Sequence, residues 1–464
     1  MISSLDNHHH IYFIGIAGSG MSALAQYLAG IGKEVAGSDR FFVPGQRNDT
    51  KDKLEAAGIK CYLQDGSGID KQVDLVVAST AVEESNVEIQ KSKSLSIPVL
   101  LRSSLLTLIS DAKRTIAVGG TSGKSTTSAI LFDILEYAGL DPSIISGAGL
   151  VRLQKRGKIG NAYVGKGEWL VIEADESDGS IVNYLPEVGL LLNIDKDHKE
   201  IAELENIFQV FKNNTRRVFI VNASNPLTAR FSQDAAHDFS STGQAAGYQA
   251  TDFQQTGFRI SFKINNTSFS MNALGRHNME NALAATATAN QLGVSLEMCA
   301  KAIKSYEGIY RRSQVLGEKN GVWVIDDYAH NPVKVAAAIR SVQPLAEKVI
   351  AWFQPHGYGP TRFLRNDFVR EISTALRPQD EIWMSEIFYA GGTTEKNISA
   401  ADLVDDIKFN GKNAFFVANR DDLIRSIETH CNSRCAILLM GARDPSLDEF
   451  AKKFFEQLQV QQNS

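Results

Sequence analysis

The segment Val118-Gly119-Gly120-Thr121-Ser122-Gly123-Lys124-Ser125-Thr126-Thr127 limits the fold of this chain more than any other. It lies between an apolar run at 115–118 and a helical pattern at 128–138. A strand that turns sharply through glycines into a helix aims free backbone N–H groups and the positive end of the helix dipole at one point. That arrangement suits a polyanion. Lys124 is placed to reach β- and γ-phosphates, and Ser125 to hold Mg²⁺. The spacing departs from the general phosphate-loop pattern at one position, where Val118 stands five residues before Gly123 instead of glycine.

A chain of 464 residues is too long for one ordinary domain, and about 150 residues per domain suggests about three. A net charge of −5 gives no basic footprint for nucleic acid. Cys61, Cys299, Cys431 and Cys435 show no paired metal spacing. So few cysteines point to a reducing compartment. The apolar stretch from Ile11 lacks a basic flank and is broken by Gly15, Gly18 and Gly20, so it does not read as a signal sequence. No run is long enough to span a bilayer. The expectation is a cytoplasmic protein with no membrane or nucleic-acid partner. His8-His9-His10 reads as an ordinary strand entry.

Apolar runs at 11–16, 34–37, 74–78 and 97–101 alternate with helix-like stretches at 21–31 and 51–58, which implies βαβ units and a mainly parallel sheet. A second sheet domain opens near Arg114 and continues through buried-strand runs at 169–174, 189–193 and 218–221. Between 244 and 274 the texture becomes a polar-apolar alternation of antiparallel character. Helical blocks at 278–292 and 296–305 close the domain. Strand-helix alternation resumes with runs at 322–325, 348–353, 381–384, 414–417 and 436–440. Three α/β domains are expected.

Further polar constellations stand at strand ends. Gly15-Ile16-Ala17-Gly18-Ser19-Gly20-Met21-Ser22-Ala23 follows a strand and opens a helix, with Asp39 about twenty residues on. Alone this looks like a dinucleotide fingerprint with Asp39 on a ribose. The same backbone geometry binds any diphosphate. The strand at 169–173 ends in Glu173, Asp175, Glu176 and Asp178. Glu173, the first acid off the strand, is placed to hold Mg²⁺ against a triphosphate. A solvated acidic loop accounts better for Glu176 and Asp178. The run Asn193-Ile194-Asp195-Lys196-Asp197-His198 repeats the design, with His198 at the edge of a candidate metal site. Asn278 could cap a helix. Asp326 to Pro332 and Phe353 to His356 leave two further strands as polar turns, where open α/β sheets put ligands.

Taken in order, these pieces resemble the Mur ligases, ATP-dependent amide-forming enzymes of peptidoglycan assembly. The likeness rests on the loop at 120–126, Asn193 to His198, Gly275-Arg276-His277-Asn278-Met279-Glu280-Asn281, the pair Arg311-Arg312, and Asp327-Tyr328-Ala329-His330. The segments at 15–23, 173–178 and 353–356 look like the branch that adds L-alanine to UDP-N-acetylmuramate. The resemblance covers nearly the whole chain. It implies an N-terminal Rossmann-like UDP-binding domain at 1–112, a central phosphate-loop ATPase-type domain at 113–314 and a C-terminal Rossmann-like domain at 315–464. It further implies ATP and Mg²⁺ as cofactors, a UDP-N-acetylmuramate-type substrate with an amino acid as partners, and a monomer or homodimer.

The same resemblance implies roles by position. Lys124, Glu173 and His198 would be catalytic, and Ser125, Glu173 and His198 would hold metal. Gly120, Thr121, Ser122, Gly123, Lys124, Ser125, Thr126, Asn281, Arg312 and Asp327 would bind ATP. Gly15, Gly18, Ser19, Gly20 and Asp39 would bind the UDP-substrate, which overrides the dinucleotide reading. Tyr328, His330, His356 and Arg362 would form the acceptor pocket. A site built from separate domains implies closure that keeps water from an acyl phosphate.

Departures from that branch are confined to a few positions. It usually has His where Ser122 and Asn331 stand, and Arg-Tyr-Thr-Arg after Phe-Gln-Pro-His. Here the run is Gly357-Tyr358-Gly359-Pro360-Thr361-Arg362, so the first guanidinium is lost and the second displaced. L-alanine is the default amino donor. The rivals are a relative that takes another amine or a preformed peptide, as in peptidoglycan recycling, and an NAD-dependent oxidoreductase.

Overall fold

Strands buried on both faces organise three parallel-rich sheets in this computed structural model, which describes residues 4–195, 200–389, 391, 395–431 and 434–458. The chain divides into two compact units. One comprises Met1–Asp252, Phe262–Phe269 and Glu280–Ile309; the other comprises Phe253–Ser261, Ser270–Met279 and Tyr310–Ser464.

In the first unit, β1 (His10–Ile14), β2 (Glu34–Ser38), β3 (Lys60–Tyr62), β4 (Leu75–Ala78) and β5 (Val99–Leu101) form a sheet in the order β3-β2-β1-β4-β5. Every pairing in it is parallel. The chain winds outward from β1 to β3 and then returns to β4 on the other side of β1. That reversal leaves a crevice at the carboxyl end of β1, where Gly15–Gly20 follows. Ile11 and Phe13 enter one core while Tyr12 and Ile14 enter another, so both faces of β1 are covered.

The second sheet holds β6 (Arg114–Gly119), β7 (Ser143–Ile145), β8 (Ala162–Tyr163), β9 (Trp169–Glu173), β10 (Val188–Leu191) and β11 (Val218–Val221). Its order is β11-β10-β6-β9-β7-β8, parallel except for β7 with β8. Here too the strand carrying the glycine turn, β6, is flanked by strands from opposite sides of a reversal. Residues of the first two sheets share one apolar core, which runs from Phe13 and Leu28 through Leu105 and Ile109 to Leu170, Leu191 and Phe211.

A small sheet follows, with β12 (Phe239–Ser240), β13 (Tyr248–Thr256), β14 (Arg259–Ile264) and β15 (Thr267–Met271) in sequential order. The edge strand β12 joins β13 in parallel, outside the stretch whose texture reads as antiparallel.

The second unit contains β16 (Gln314–Lys319), β17 (Val322–Asp327), β18 (Lys348–Gln354), β19 (Glu381–Met384), β20 (Asn413–Phe416) and β21 (Cys435–Gly441). Their order is β16-β17-β21-β18-β19-β20, with only β16 antiparallel to its neighbour. Alternation is strict. Val349, Ala351 and Phe353 enter one core and Ile350 and Trp352 the other, as Ala436, Leu438 and Met440 alternate with Ile437 and Leu439. Trp352 is 1% exposed, lies 4.9 Å from Phe450 ring to ring in a tilted pair, and donates Nε1–H to Ser385 Oγ at 2.9 Å. Trp352→Ala removes that volume and leaves the hydroxyl unpaired, so a loss of about 3–5 kcal/mol is expected for this unit in urea unfolding followed by circular dichroism. A loss below ~1 kcal/mol would show that the site collapses around the deletion.

Candidate active site

The glycine turn is shaped by contacts that admit no side chain. Gly120 and Gly123 have φ of 129° and 88°. A Cβ on Gly120 would meet Asn193 N and O at 3.1 Å, and one on Gly123 would lie 2.5 Å from Asn281 Oδ1. Asn193, just beyond β10, pins the turn. Its Oδ1 accepts from Ser122 N at 2.8 Å, its Nδ2 donates to Ser122 O at 2.9 Å, and its backbone O accepts from Thr121 N at 3.1 Å. Asp195 N donates to Thr121 Oγ1 at 3.1 Å. The helix Lys124–Tyr137 begins at once after Gly123, four residues earlier than its apolar pattern suggests. Its first-turn amides are thereby carried into the loop.

Lys124 and Ser125 meet the acids of the β9 strand end. Lys124 Nζ donates to Gly120 O and to Glu176 Oε2, each at 2.6 Å. Burial works against the ammonium charge, but Glu176 and Asp175 outweigh it and hold the Lys124 pKa above the usual lysine value. Burial likewise pushes Asp175 up, and Lys124 with two hydrogen bonds from Ser177 brings it below the ordinary carboxylate value. Ser125 Oγ donates to Glu173 Oε2 at 2.8 Å. The other oxygen of Glu173 accepts from Ser146 Oγ at 2.6 Å and Gly147 N at 2.7 Å. The carboxylate is thus fixed from one side and presents its second oxygen to Ser125.

The pattern reading of a solvated acidic loop is corrected here for Glu176, which is 6% exposed and ion-paired with Lys124. It holds for Asp178, which is exposed and whose Oδ2 accepts from Arg102 Nη2 at 2.6 Å. The cue was the density of acids beside a lysine-bearing loop, since unpaired carboxylates do not stay buried. Arg102 also packs against the N-terminal glycine turn, where a Cβ on Gly20 would come within 2.9 Å of its Nη1. Ser146, Gly147 and Asn193 were not singled out as site residues by sequence.

At the first crevice, Gly15 has φ 81° and accepts from Gly18 N at 3.2 Å. Asn161 Nδ2 donates to Ser19 O at 2.7 Å. Asp39 is 5% exposed and holds the turn itself, accepting from Ala17 N at 2.9 Å through Oδ2 and Phe41 N at 3.0 Å through Oδ1. Behind it Glu88 is fully buried, bonded by Tyr12 Oη at 2.7 Å and Ser38 Oγ at 2.5 Å. Burial raises its pKa.

Asn281 lies in the helix Arg276–Gln291, 9% exposed, with Thr127 Oγ1 at 3.3 Å from its Oδ1. Asn278 lies inside that helix and does not cap it; its Nδ2 donates back to Leu274 O at 2.8 Å. Thr126 is buried in the loop helix. His198 lies outside the described residues.

In the second unit, Asp327 ends β17 and is 8% exposed. Its Oδ2 accepts from Ser313 N at 2.5 Å and Ser313 Oγ at 3.0 Å, and its Oδ1 from Ala329 N at 2.7 Å. Arg311 is locked to Asp326 by two bonds of 2.8 and 3.1 Å, whereas Arg312 sits over the Tyr328 ring at 5.0 Å. His330 stands 5.5 Å from Tyr328 and 5.7 Å from His356, ring to ring. Burial, with Lys334 nearby, drives the His330 pKa well below its ordinary value. Its Nδ1 lies 2.9 Å from Tyr328 O, a carbonyl that can only accept, so the neutral ring carries its proton there and leaves Nε2 with a lone pair. Asn331 caps the helix Pro332–Val342 by accepting from Lys334 N at 2.9 Å. Exposed Arg362 donates Nη1–H to Asn397 Oδ1.

Magnesium fits the hydroxyl and carboxylate at Ser125 and Glu173. Both are hard oxygen donors, and nucleotide sites commonly bind Mg²⁺ through one or two protein groups with phosphate and water completing the shell. No cluster of three or more His, Cys, Asp or Glu side chains among the described residues could hold a metal alone.

A lysine and a hydroxyl in a phosphate turn at a sheet reversal, facing a fixed carboxylate on the next strand, define a nucleotide-dependent α/β phosphoryl-transfer protein. Family models match three consecutive stretches: "Mur ligase family, catalytic domain" over 10–114, "Mur ligase middle domain" over 118–289, and "Mur ligase, glutamate ligase domain" over 311–443. The chain is 33% identical over 460 residues to a UDP-N-acetylmuramate--L-alanine ligase of Pelotomaculum thermopropionicum, covering 95% of this chain and 96% of that one. It is also 33% identical over 450 residues to the protein of the same name from Carboxydothermus hydrogenoformans, 93% of each chain. Among solved structures, UDP-N-acetylmuramate-alanine ligase MurC of Thermotoga maritima superposes with a TM-score of 0.80 at 25% identity, over 97% of this chain and 99% of that one. A murein peptide ligase of Psychrobacter arcticus shares the fold, with a TM-score of 0.68 at 22% identity, over 97% and 98%. This chain belongs to the Mur ligase family.

Proposed function

We propose that this Mur-family, ATP-dependent ligase joins L-alanine to the carboxylate of a UDP-N-acetylmuramate-type substrate in the cytoplasm, acting as a monomer or homodimer. The observation that carries the reading is the pairing of Ser125 Oγ with Glu173 Oε2 at 2.8 Å beside Lys124 in the glycine turn. The names of the relatives support the substrates. No helix among the described residues is long and apolar enough to cross a membrane. We take the domains as 1–112 for the UDP-substrate, 113–314 for ATP and 315–464 for the acceptor, in line with the three matched stretches.

A carboxylate is a poor electrophile, so a ligase of this type transfers the γ-phosphoryl group of ATP to it, and the amine then displaces phosphate to form the amide. Bound Mg²⁺ would supply charge neutralisation between the triphosphate and the incoming carboxylate. The loop amides that Asn193 leaves free, with the Lys124 ammonium, hold the β- and γ-phosphates. Ser125 and Glu173 hold the metal, with His198 assigned to a second one. Asn281, Arg312 and Asp327 are assigned to the nucleotide. Gly15, Gly18, Ser19 and Gly20 are assigned to the UDP diphosphate, with Asp39 keeping that turn in shape. Tyr328, His330, His356 and Arg362 are assigned to the acceptor. Neutral His330, with a lone pair on Nε2, can take the proton that the acceptor nitrogen must shed once the free amine has attacked the acyl carbon.

The test is phosphate release from ATP and Mg²⁺ with UDP-N-acetylmuramate, run against a panel of amino acids and short peptides. Release that depends on both the UDP-sugar and L-alanine is expected. Release indifferent to the UDP-sugar would overturn the substrate, and preference for a preformed peptide would move the chain to the recycling type of ligase.

A further inference from the structure

The carboxyl edge of the second unit's sheet carries a cation that the roles above leave unused. β17, β18 and β19 run parallel through β21, so the segments after each of them emerge on one edge. His356, following β18, forms a bridge with Phe388, following β19. Phe388 N donates to Pro355 O and Gly357 N to Phe388 O, each at 2.8 Å. This clamp brings the Tyr358 and Tyr389 rings to 5.4 Å, edge to face. Over both lies the ammonium of Lys396, 5.0 Å from the Tyr389 ring and 5.9 Å from that of Tyr358. Lys396 is exposed, and no carboxylate among the described residues pairs with it. The Tyr389 hydroxyl oxygen is buried and has no hydrogen-bond partner.

The turn itself excludes the guanidinium that the nearest branch usually places after Phe-Gln-Pro-His. Gly357 has φ 72° and ψ 119°, a conformation open to glycine and costly for any residue with a Cβ. A Cβ there would also press on Pro360 at 3.3 Å. An amino acid attacking through its amine still presents an α-carboxylate, and an uncompensated carboxylate in a closing site is expensive. His330 is neutral and cannot compensate it. Arg362 already bonds Asn397.

We propose that Lys396 binds the α-carboxylate of the acceptor amino acid, with the Tyr389 hydroxyl as a second donor to it. The assignment rests on the amino-acid ligase reading above and adds the group that recognises the acceptor. Resting on two aromatic faces, the ammonium is held by cation–π attraction, weak enough at an exposed site to be exchanged for a carboxylate.

The experiment compares L-alanine with L-alaninamide, which keeps the amine and lacks the carboxylate charge, in the full-length enzyme. In wild type the amide is expected to need about tenfold or more higher concentration for half-maximal phosphate release. In Lys396→Met, KM for L-alanine rises by about tenfold or more while that for L-alaninamide stays put, so the preference collapses. The kcat and the KM values for ATP and UDP-N-acetylmuramate hold within about threefold, because the interaction is with the acceptor alone. Lys396→Arg keeps the preference. An alanine-to-alaninamide ratio in Lys396→Met equal to that of an active wild type would overturn the assignment while leaving the ligase reading intact. A wild type that couples no amine to the UDP-sugar would overturn both.

Discussion

Lys124→Ala is expected to abolish turnover, lowering kcat for phosphate release by about a thousandfold or more, because a positioned charge at the transferring phosphoryl group is removed from a site shielded from water. The fold should survive. Lys124 donates to a backbone carbonyl and one carboxylate, and it stands at the start of a helix whose body is buried through Ala129, Leu131, Phe132 and Leu135. The variant does strand Glu176, whose carboxylate is buried and loses its counter-charge. Lys124→Ala with Glu176→Gln therefore serves as the stability control. Both variants should show wild-type circular dichroism, and neither should release phosphate. Turnover above a tenth of wild type in either would remove the loop lysine from the mechanism.

Glu173→Gln should bring the second large loss, of about a hundredfold or more at limiting Mg²⁺, since an amide oxygen is a weaker ligand for a hard cation than a carboxylate. The amide can still accept from Ser146 and Gly147, so the strand end keeps its place and the effect falls on the metal. Titrating Mg²⁺ separates the possibilities: partial recovery at high concentration is expected. A loss independent of Mg²⁺ would mean that Glu173 acts otherwise than by holding the ion.

Much of this site was legible in the chain because phosphate chemistry constrains backbone as well as side chains. Gly120 and Gly123 need left-handed dihedrals and close approach, and no other residue type satisfies both. Buried strands such as Trp169–Glu173 and Cys435–Gly441 are continuous apolar runs, visible without knowing their neighbours. Amphipathic helices were harder. Ile201–Asn214 buries only Leu204, Phe208 and Phe211, a spacing of four and three that is easily lost among its polar residues. The site contacts that escaped notice are those between residues far apart in sequence. Nothing local marks Ser146 as a partner of Glu173 or Arg102 as a partner of Asp178, because pairing across 27 and 76 positions depends on strand order. Glu176 was misjudged for the same reason: its acidity suggested water, and only the fold brings Lys124 to it. The acceptor side was legible as a departure, in Gly357 and Asn331, but the clamp that places Lys396 depends on β18 and β19 lying side by side.

The ion pair between Lys124 and Glu176 sets the terms on which any anion enters the loop. The ammonium is already paired, so a newcomer must outcompete an intramolecular carboxylate whose effective concentration far exceeds that of a solute. Free phosphate or sulfate, which offers only charge, gains little by the exchange. A triphosphate brings metal coordination and a row of amide contacts as well, and these tip the balance. On the proposed reading Glu176 is thus a tethered competitor, which favours ligands able to make several contacts at once.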